Sequence, residues 1–196
     1  GVARMPVFLN RRDYVRFIQT LQYYNRTPIN TRFSHFMETE DFLIGTEKVV
    51  DIVTFVFMPN HFHFLLRQRV DDGIKNFISR LTNSYVKYFN IKHERVGPLF
   101  QGNFKAVLVE STEQLIHVDR YIHLNPAVSR LAQNPEDYEW SSYNEHLGAS
   151  TRRICDREVI KGQFKNLEQF EAFTKDHIGY AKKLDQVKHL LHDTEV

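Results

Sequence analysis

Cysteine is almost absent, and no apolar run is long. Cys155 is the single cysteine among 196 residues, so no internal disulfide can form. No charged-then-apolar leader opens the chain, and the two features together point to a reducing interior such as a bacterial cytoplasm. No apolar stretch approaches the roughly 20 residues that cross a bilayer. A phosphate-binding G-x-x-x-x-G-K-S/T loop is missing, which argues against nucleotide-driven chemistry. Internal repeats and low-complexity tracts are missing too. The formal charge is only +2, too small to establish a nucleic-acid partner by itself.

What is present is a globular composition, 42% hydrophobic and 13% aromatic, enough to bury one good core and a small appendage. The charge is unevenly spread. Residues 1–30 carry five arginines against one aspartate, and residues 61–110 carry eight lysines and arginines against four acids. Residues 31–60 and 111–150 are net acidic. Such a distribution is that of a basic face on a near-neutral protein, or of ordinary solvated charge.

Asn10 and Asp13 precede Tyr14, Phe17, Ile18 and Leu21, the spacing of a capped helix that ends before Pro28. Residues 49–58 are dominated by Val, Ile and Phe, and after Pro59-Asn60 an apolar run resumes at 61–66, which predicts two neighbouring antiparallel strands. Ile74, Phe77, Ile78, Leu81, Tyr85 and Tyr88 or Phe89 mark an amphipathic helix, with Lys75, Arg80 and Lys87 off its stripe. Gly97-Pro98 breaks it. Residues 100–109 then read as a third strand with Phe104, Ala106 and Leu108 on one face. Ser111 and Gln114 form a capping box for a helix from Thr112 that Pro126 should end. The stretch 167–191 reads as a polar, loosely attached helical tail.

Strand geometry sends His61 and His63 to the same side, where neighbouring imidazoles make a divalent-metal clamp. Two histidines at this spacing are also ordinary polar-face residues. On the capped helix Gln114, His117, Tyr121 and Asn125 share one stripe, with Tyr121 and Asn125 one turn apart. An amide oxygen from Asn125 would complete a three-ligand set with the histidines and leave positions open for phosphate oxygens. The plainer reading of the same stripe is a buried tyrosine and an asparagine capping the helix end. For DNA contact, Lys87, Lys92, Arg95 and Lys105 are interleaved with Tyr88, Phe89, Phe100 and Phe104; cations track phosphates and aromatics stack unpaired bases, although Phe89 and Phe104 also fit core stripes.

These residues carry a resemblance. Met58-Pro59-Asn60-His61-Phe62-His63-Phe64-Leu65-Leu66 resembles the histidine motif of the HUH single-strand DNA transposases. Three further blocks, residues 85–90, residues 95–106, and Tyr121-Ile122-His123-Leu124-Asn125-Pro126, resemble the REP-associated tyrosine transposase branch of the IS200-like family, in the right order. The resemblance implies an α+β fold, a ferredoxin-like antiparallel sheet with helices packed on it over residues 1–143. A mostly helical C-terminal extension over 144–196 would follow. It further implies Tyr121 as nucleophile, His61, His63 and Asn125 as ligands of Mg²⁺ or Mn²⁺, single-stranded or hairpin DNA as partner, and a monomer or homodimer at the bacterial nucleoid. The product would be a 5′-phosphotyrosine with a free 3′-hydroxyl. One departure is at the start, where relatives set a strand ending in Arg-Gly ahead of the first helix and this chain opens at Gly1. Two other readings stay open: a DNA-hairpin-binding module without cleavage, and a metal phosphohydrolase that uses water in place of Tyr121.

Overall fold

A computed structural model describes residues 1–29, 33–36 and 45–179, with only the backbone of residues 34 and 35. The chain is mixed α+β, antiparallel strands with helices packed on them and further helices toward the C-terminus, as the sequence predicts. In chain order the elements are α1 (Arg11–Tyr24), β1 (Arg26–Thr27), α2 (Phe33–Phe36), β2 (Glu47–Lys48), β3 (Val50–Met58), β4 (His61–Gln68), α3 (Gly73–Lys92), α4 (Thr112–Val128), α5 (Tyr143–His146), α6 (Glu158–Lys161) and α7 (Leu167–Lys175). β1 pairs antiparallel with β2, and β3 pairs with β4 across the Pro59-Asn60 turn.

The chain divides into two compact units. The first comprises Gly1–Asp51, Pro59–His61 and Leu66–Val107; the second comprises Ile52–Met58, Phe62–Leu65 and Leu108–Val196. In the first, α1 begins as the sequence predicts: the Asn10 side chain caps the helix and Asp13 returns a bond to the Asn10 amide. α3 packs on α1 through Phe77, Ile78, Leu81, Tyr85 and Phe89, all buried. Phe8 stacks on Tyr14 at 4.4 Å, Phe17 meets Tyr85 edge-on at 4.9 Å, and the Tyr85 hydroxyl donates to the Val7 carbonyl at 2.6 Å. That hydroxyl has a partner, so a phenol can sit in an apolar core without an unpaired polar atom.

In the second unit the core gathers Val53, Val56, Met58, Leu65, Ile122, Tyr143, Ile160 and Phe170. β3 is buried at every residue, which explains its run of Val, Ile and Phe without alternation. Its edge is covered by residues 140–142, where the Phe57 amide donates to the Trp140 carbonyl and the Ser142 amide to the Phe55 carbonyl.

Three expectations are corrected. Residues 100–109 form no strand; Phe104, Val107 and Leu108 are exposed, the latter two at 83% and 78%, and no neighbouring ladder takes up their amides. Alternating apolar residues fold as a strand only where a partner and a buried face exist. Pro126 does not end α4, which runs two residues further. Proline removes one amide, and burial of Pro126 and Ala127 offsets that loss in the final turn. The stretch beginning at Leu167 is no loose tail as far as it is described: Phe170 is 4% exposed and lies against Tyr143, His146 and Phe164. The rest of that predicted helix, from Tyr180, lies outside the described residues.

Candidate functional site

α4 bears Tyr121 and Asn125, and its start is fixed locally. Ser111 accepts from the Gln114 amide at 3.1 Å, as a capping box requires. Gln114 reaches the Glu110 amide at 2.9 Å, one residue before the one a capping box would satisfy. Ile122 turns into the core, with Leu115 and Val118 packed against it, and the helix is thereby oriented. Tyr121 faces the other way and is 59% exposed.

The His63 and Tyr121 rings meet edge-on, 5.7 Å between centroids and 76° between planes. β4 supplies this contact through its pleat: His63 and Leu65 share a side, and Leu65 is buried in the same core as Ile122. Asn125 is half-buried, and its amide nitrogen donates to the Tyr121 carbonyl at 2.8 Å. That bond turns its oxygen into the end able to meet a cation. His117, predicted on the same stripe, instead pairs its Nδ1 with Arg120 at 2.7 Å, and Arg120 lies 4.2 Å over the Phe173 ring.

His61 lies in the first unit's part of β4. Its Nδ1 is 2.6 Å from the Asn60 side-chain oxygen, and the Asn60 nitrogen donates to the Arg4 carbonyl. An amide oxygen accepts only, so Nδ1 carries the proton and Nε2 the lone pair of the neutral ring. Burial lowers the pKa of His61 and favours that neutral form. Of the predicted cations, Lys87 and Lys105 are exposed. Lys92 is committed to buried Asp13 at 2.6 Å, and Arg95 donates to Asn90 at 3.1 Å. Phe89 is core, whereas Phe104 is 46% exposed and is not.

The sequence reading missed a buried polar cluster on the inner side of α4. Asp119 accepts from the Thr54 hydroxyl and lies 3.3 Å from His123 Nδ1; His123 Nε2 lies 2.8 Å from Ser142 Oγ. His146 donates from Nε2 to the Val53 carbonyl at 2.9 Å and stacks on Phe170. Burial, reinforced by His123, pushes the His146 pKa down to about 4. The Asp119–His123–Ser142 line has the order of a hydrolase triad, but Ser142 is fully buried and donates its hydroxyl proton to the Phe55 carbonyl. No substrate can reach such a serine. The i, i+4 spacing of Asp119 and His123 was visible in the sequence; the approach of His146 across the fold was not.

No helix among the described residues is long and apolar enough to cross a membrane. A family model described as "Transposase IS200 like" matches residues 15–125, a span that contains β3, β4, α3 and α4 through Asn125. No curated protein and no solved structure matches the chain.

Proposed function

The chain belongs to the IS200-like transposase family, and from that premise we propose that it is a metal-dependent single-stranded DNA endonuclease and strand transferase with Tyr121 as its nucleophile. DNA is the partner that a transposase requires; the finer reading, single strands or hairpins cut through a 5′-phosphotyrosine, rests on the site. The observation that carries it is the edge-on approach of His63 to an exposed Tyr121 whose own turn is held by Asn125.

His61, His63 and Asn125 are the residues that would hold Mg²⁺ or Mn²⁺. The donor set fits, since the Asn125 amide oxygen and phosphate oxygens from bound DNA would supply the oxygen ligands that Mg²⁺ and Mn²⁺ prefer beside two imidazoles, and Asn60 fixes the tautomer that His61 needs. When bound, such an ion neutralises charge on the scissile phosphate and on its leaving oxygen. A phenol with an ordinary pKa of about 10 is a poor nucleophile at neutral pH, so orientation matters as much as charge. Tyr121 presents its oxygen from a helix whose other side is locked into a core. That oxygen bonds to phosphorus, the bond from phosphorus to the 3′-oxygen breaks, the phenol proton passes to solvent, and the released 3′-oxygen takes up a proton. The phosphodiester count is conserved, so attack by a new 3′-hydroxyl reverses the step without a nucleotide cofactor.

Lys87 and Lys105, both exposed, supply phosphate contacts in this scheme. The test is incubation with hairpin-flanked single-stranded DNA and Mn²⁺, then mass analysis of peptides. A DNA adduct on Tyr121 is the expected result. DNA binding without any adduct would instead establish a recognition module.

A further inference from the structure

Independently of strand cleavage, we infer that Asp119, His123 and His146 form a buried structural site for a borderline divalent cation, Zn²⁺ above all. Among the described residues these three bring one ligand atom each within 4.8 Å of one another, and all are buried. The second observation is the distribution of protons. The Val53 carbonyl only accepts, so His146 carries its proton on Nε2. His123 pairs its Nε2 with Ser142 Oγ at 2.8 Å and sets its Nδ1 3.3 Å from Asp119 Oδ2. His146 Nδ1 is therefore a bare lone pair, buried without a hydrogen-bond partner, and His123 Nδ1 beside Asp119 likewise makes no well-formed hydrogen bond.

A bare imidazole lone pair next to a second imidazole and a carboxylate leaves a polar atom unsatisfied in a dry interior. A dication between them would take up the His146 lone pair and replace a proton shared between His123 and Asp119. Thr54 occupies Oδ1 of Asp119, which leaves Oδ2, the atom facing His123, for the ion. Ligand atoms on a tetrahedral Zn²⁺ at 2.0–2.1 Å sit about 3.4 Å apart, so the Asp119–His123 pair already has the spacing and His146, within 4.8 Å of both, has at most about 1.4 Å to close. Two imidazoles with one carboxylate are a donor set that Zn²⁺ commonly takes. His146 also lines a cavity of about 430 Å³ shared with Phe170, Arg157 and Lys161.

The test uses the full chain carrying His61→Ala and His63→Ala, so that the proposed catalytic ligands are gone and no DNA is involved. Titration with Co²⁺ is expected to give one equivalent with the visible absorption of a four-coordinate ion. Zn²⁺ at a hundredfold excess over its dissociation constant is expected to raise the melting temperature by roughly 5–10 °C. Adding His146→Ala should abolish the absorption. Absence of Co²⁺ absorption in the double variant, or its persistence without His146, overturns the site. If the His146 variant does not fold, the melting shift of the double variant decides, and an unshifted melt overturns it as well.

Discussion

His63 and Tyr121 lie ring edge to ring face from two elements whose order in the chain is fixed by a strand and a cap, 5.7 Å apart at the centroids. The hydroxyl contributes little to that contact. Tyr121→Phe should therefore leave the unfolding free energy within about 0.5 kcal/mol of the parent, as exposed substitutions do, while covalent adduct formation falls by at least about 10³-fold. Retained cleavage in this variant would favour activated water over the tyrosine.

The proposed ligands His61, His63 and Asn125 are all neutral, and cation affinity in such a set depends on charge brought by the substrate. Mn²⁺ titrated with hairpin-flanked single-stranded DNA present should bind at least about tenfold more tightly than without it. Equal affinities in a calorimetric titration would refute the coupling.

Lys87 and Lys105 are exposed, whereas Lys92 is spent on Asp13. Lys87→Ala and Lys105→Ala should each reduce the slope of log affinity against log salt by about 0.7 for single-stranded DNA, with unchanged melting. Lys92→Ala should lower the melting temperature and leave the salt slope nearly unchanged. Fluorescence anisotropy across a salt series separates the two behaviours.

Burial pushes the Asp13 carboxyl upward, but hydrogen bonds from Lys92, the Leu9 amide and His93 outweigh it and hold the carboxyl below its ordinary value. A carboxyl depressed in the folded state stabilises above its unfolded pKa, and that contribution fades as pH falls through the folded value. Denaturant unfolding between pH 7 and pH 2 should show stability falling below about pH 4, and Asp13→Asn should flatten this fall while costing about 2–3 kcal/mol at neutral pH. An unchanged pH slope in the variant would contradict the assignment.

Phe170 joins α7 to the second unit's core. Phe170→Ala should destabilise by about 3–5 kcal/mol, the cost of emptying a buried aromatic site. A loss below about 1 kcal/mol in chemical denaturation would mean that α7 is dispensable for the fold.

Much of this was legible in the residues. The Asn10–Asp13 and Ser111–Gln114 caps, the Pro59-Asn60 turn and the α3 stripe from Phe77 to Phe89 are local signals, set by short-range sterics and hydrogen bonding, and they fixed the start of α1, β3, β4, α3 and the start of α4 within a residue or two. The alternation through residues 100–109 misled because a strand is stabilised by a partner that no local pattern guarantees. Pro126 misled because packing of Pro126 and Ala127 outweighed one lost amide.

The sequence by itself determined which chemical groups the protein owns and which lie two or four residues apart: His61 with His63, Tyr121 with Asn125, Asp119 with His123. Only tertiary structure decided which of them meet across long separations. Leu65 and Ile122 entering one core set His63 beside Tyr121, and Phe170 closing over His146 brought that ring to His123 and Asp119. The reason is that burial of apolar area is non-directional and collective. It decides which faces come together, and polar groups carried on those faces become neighbours as a consequence.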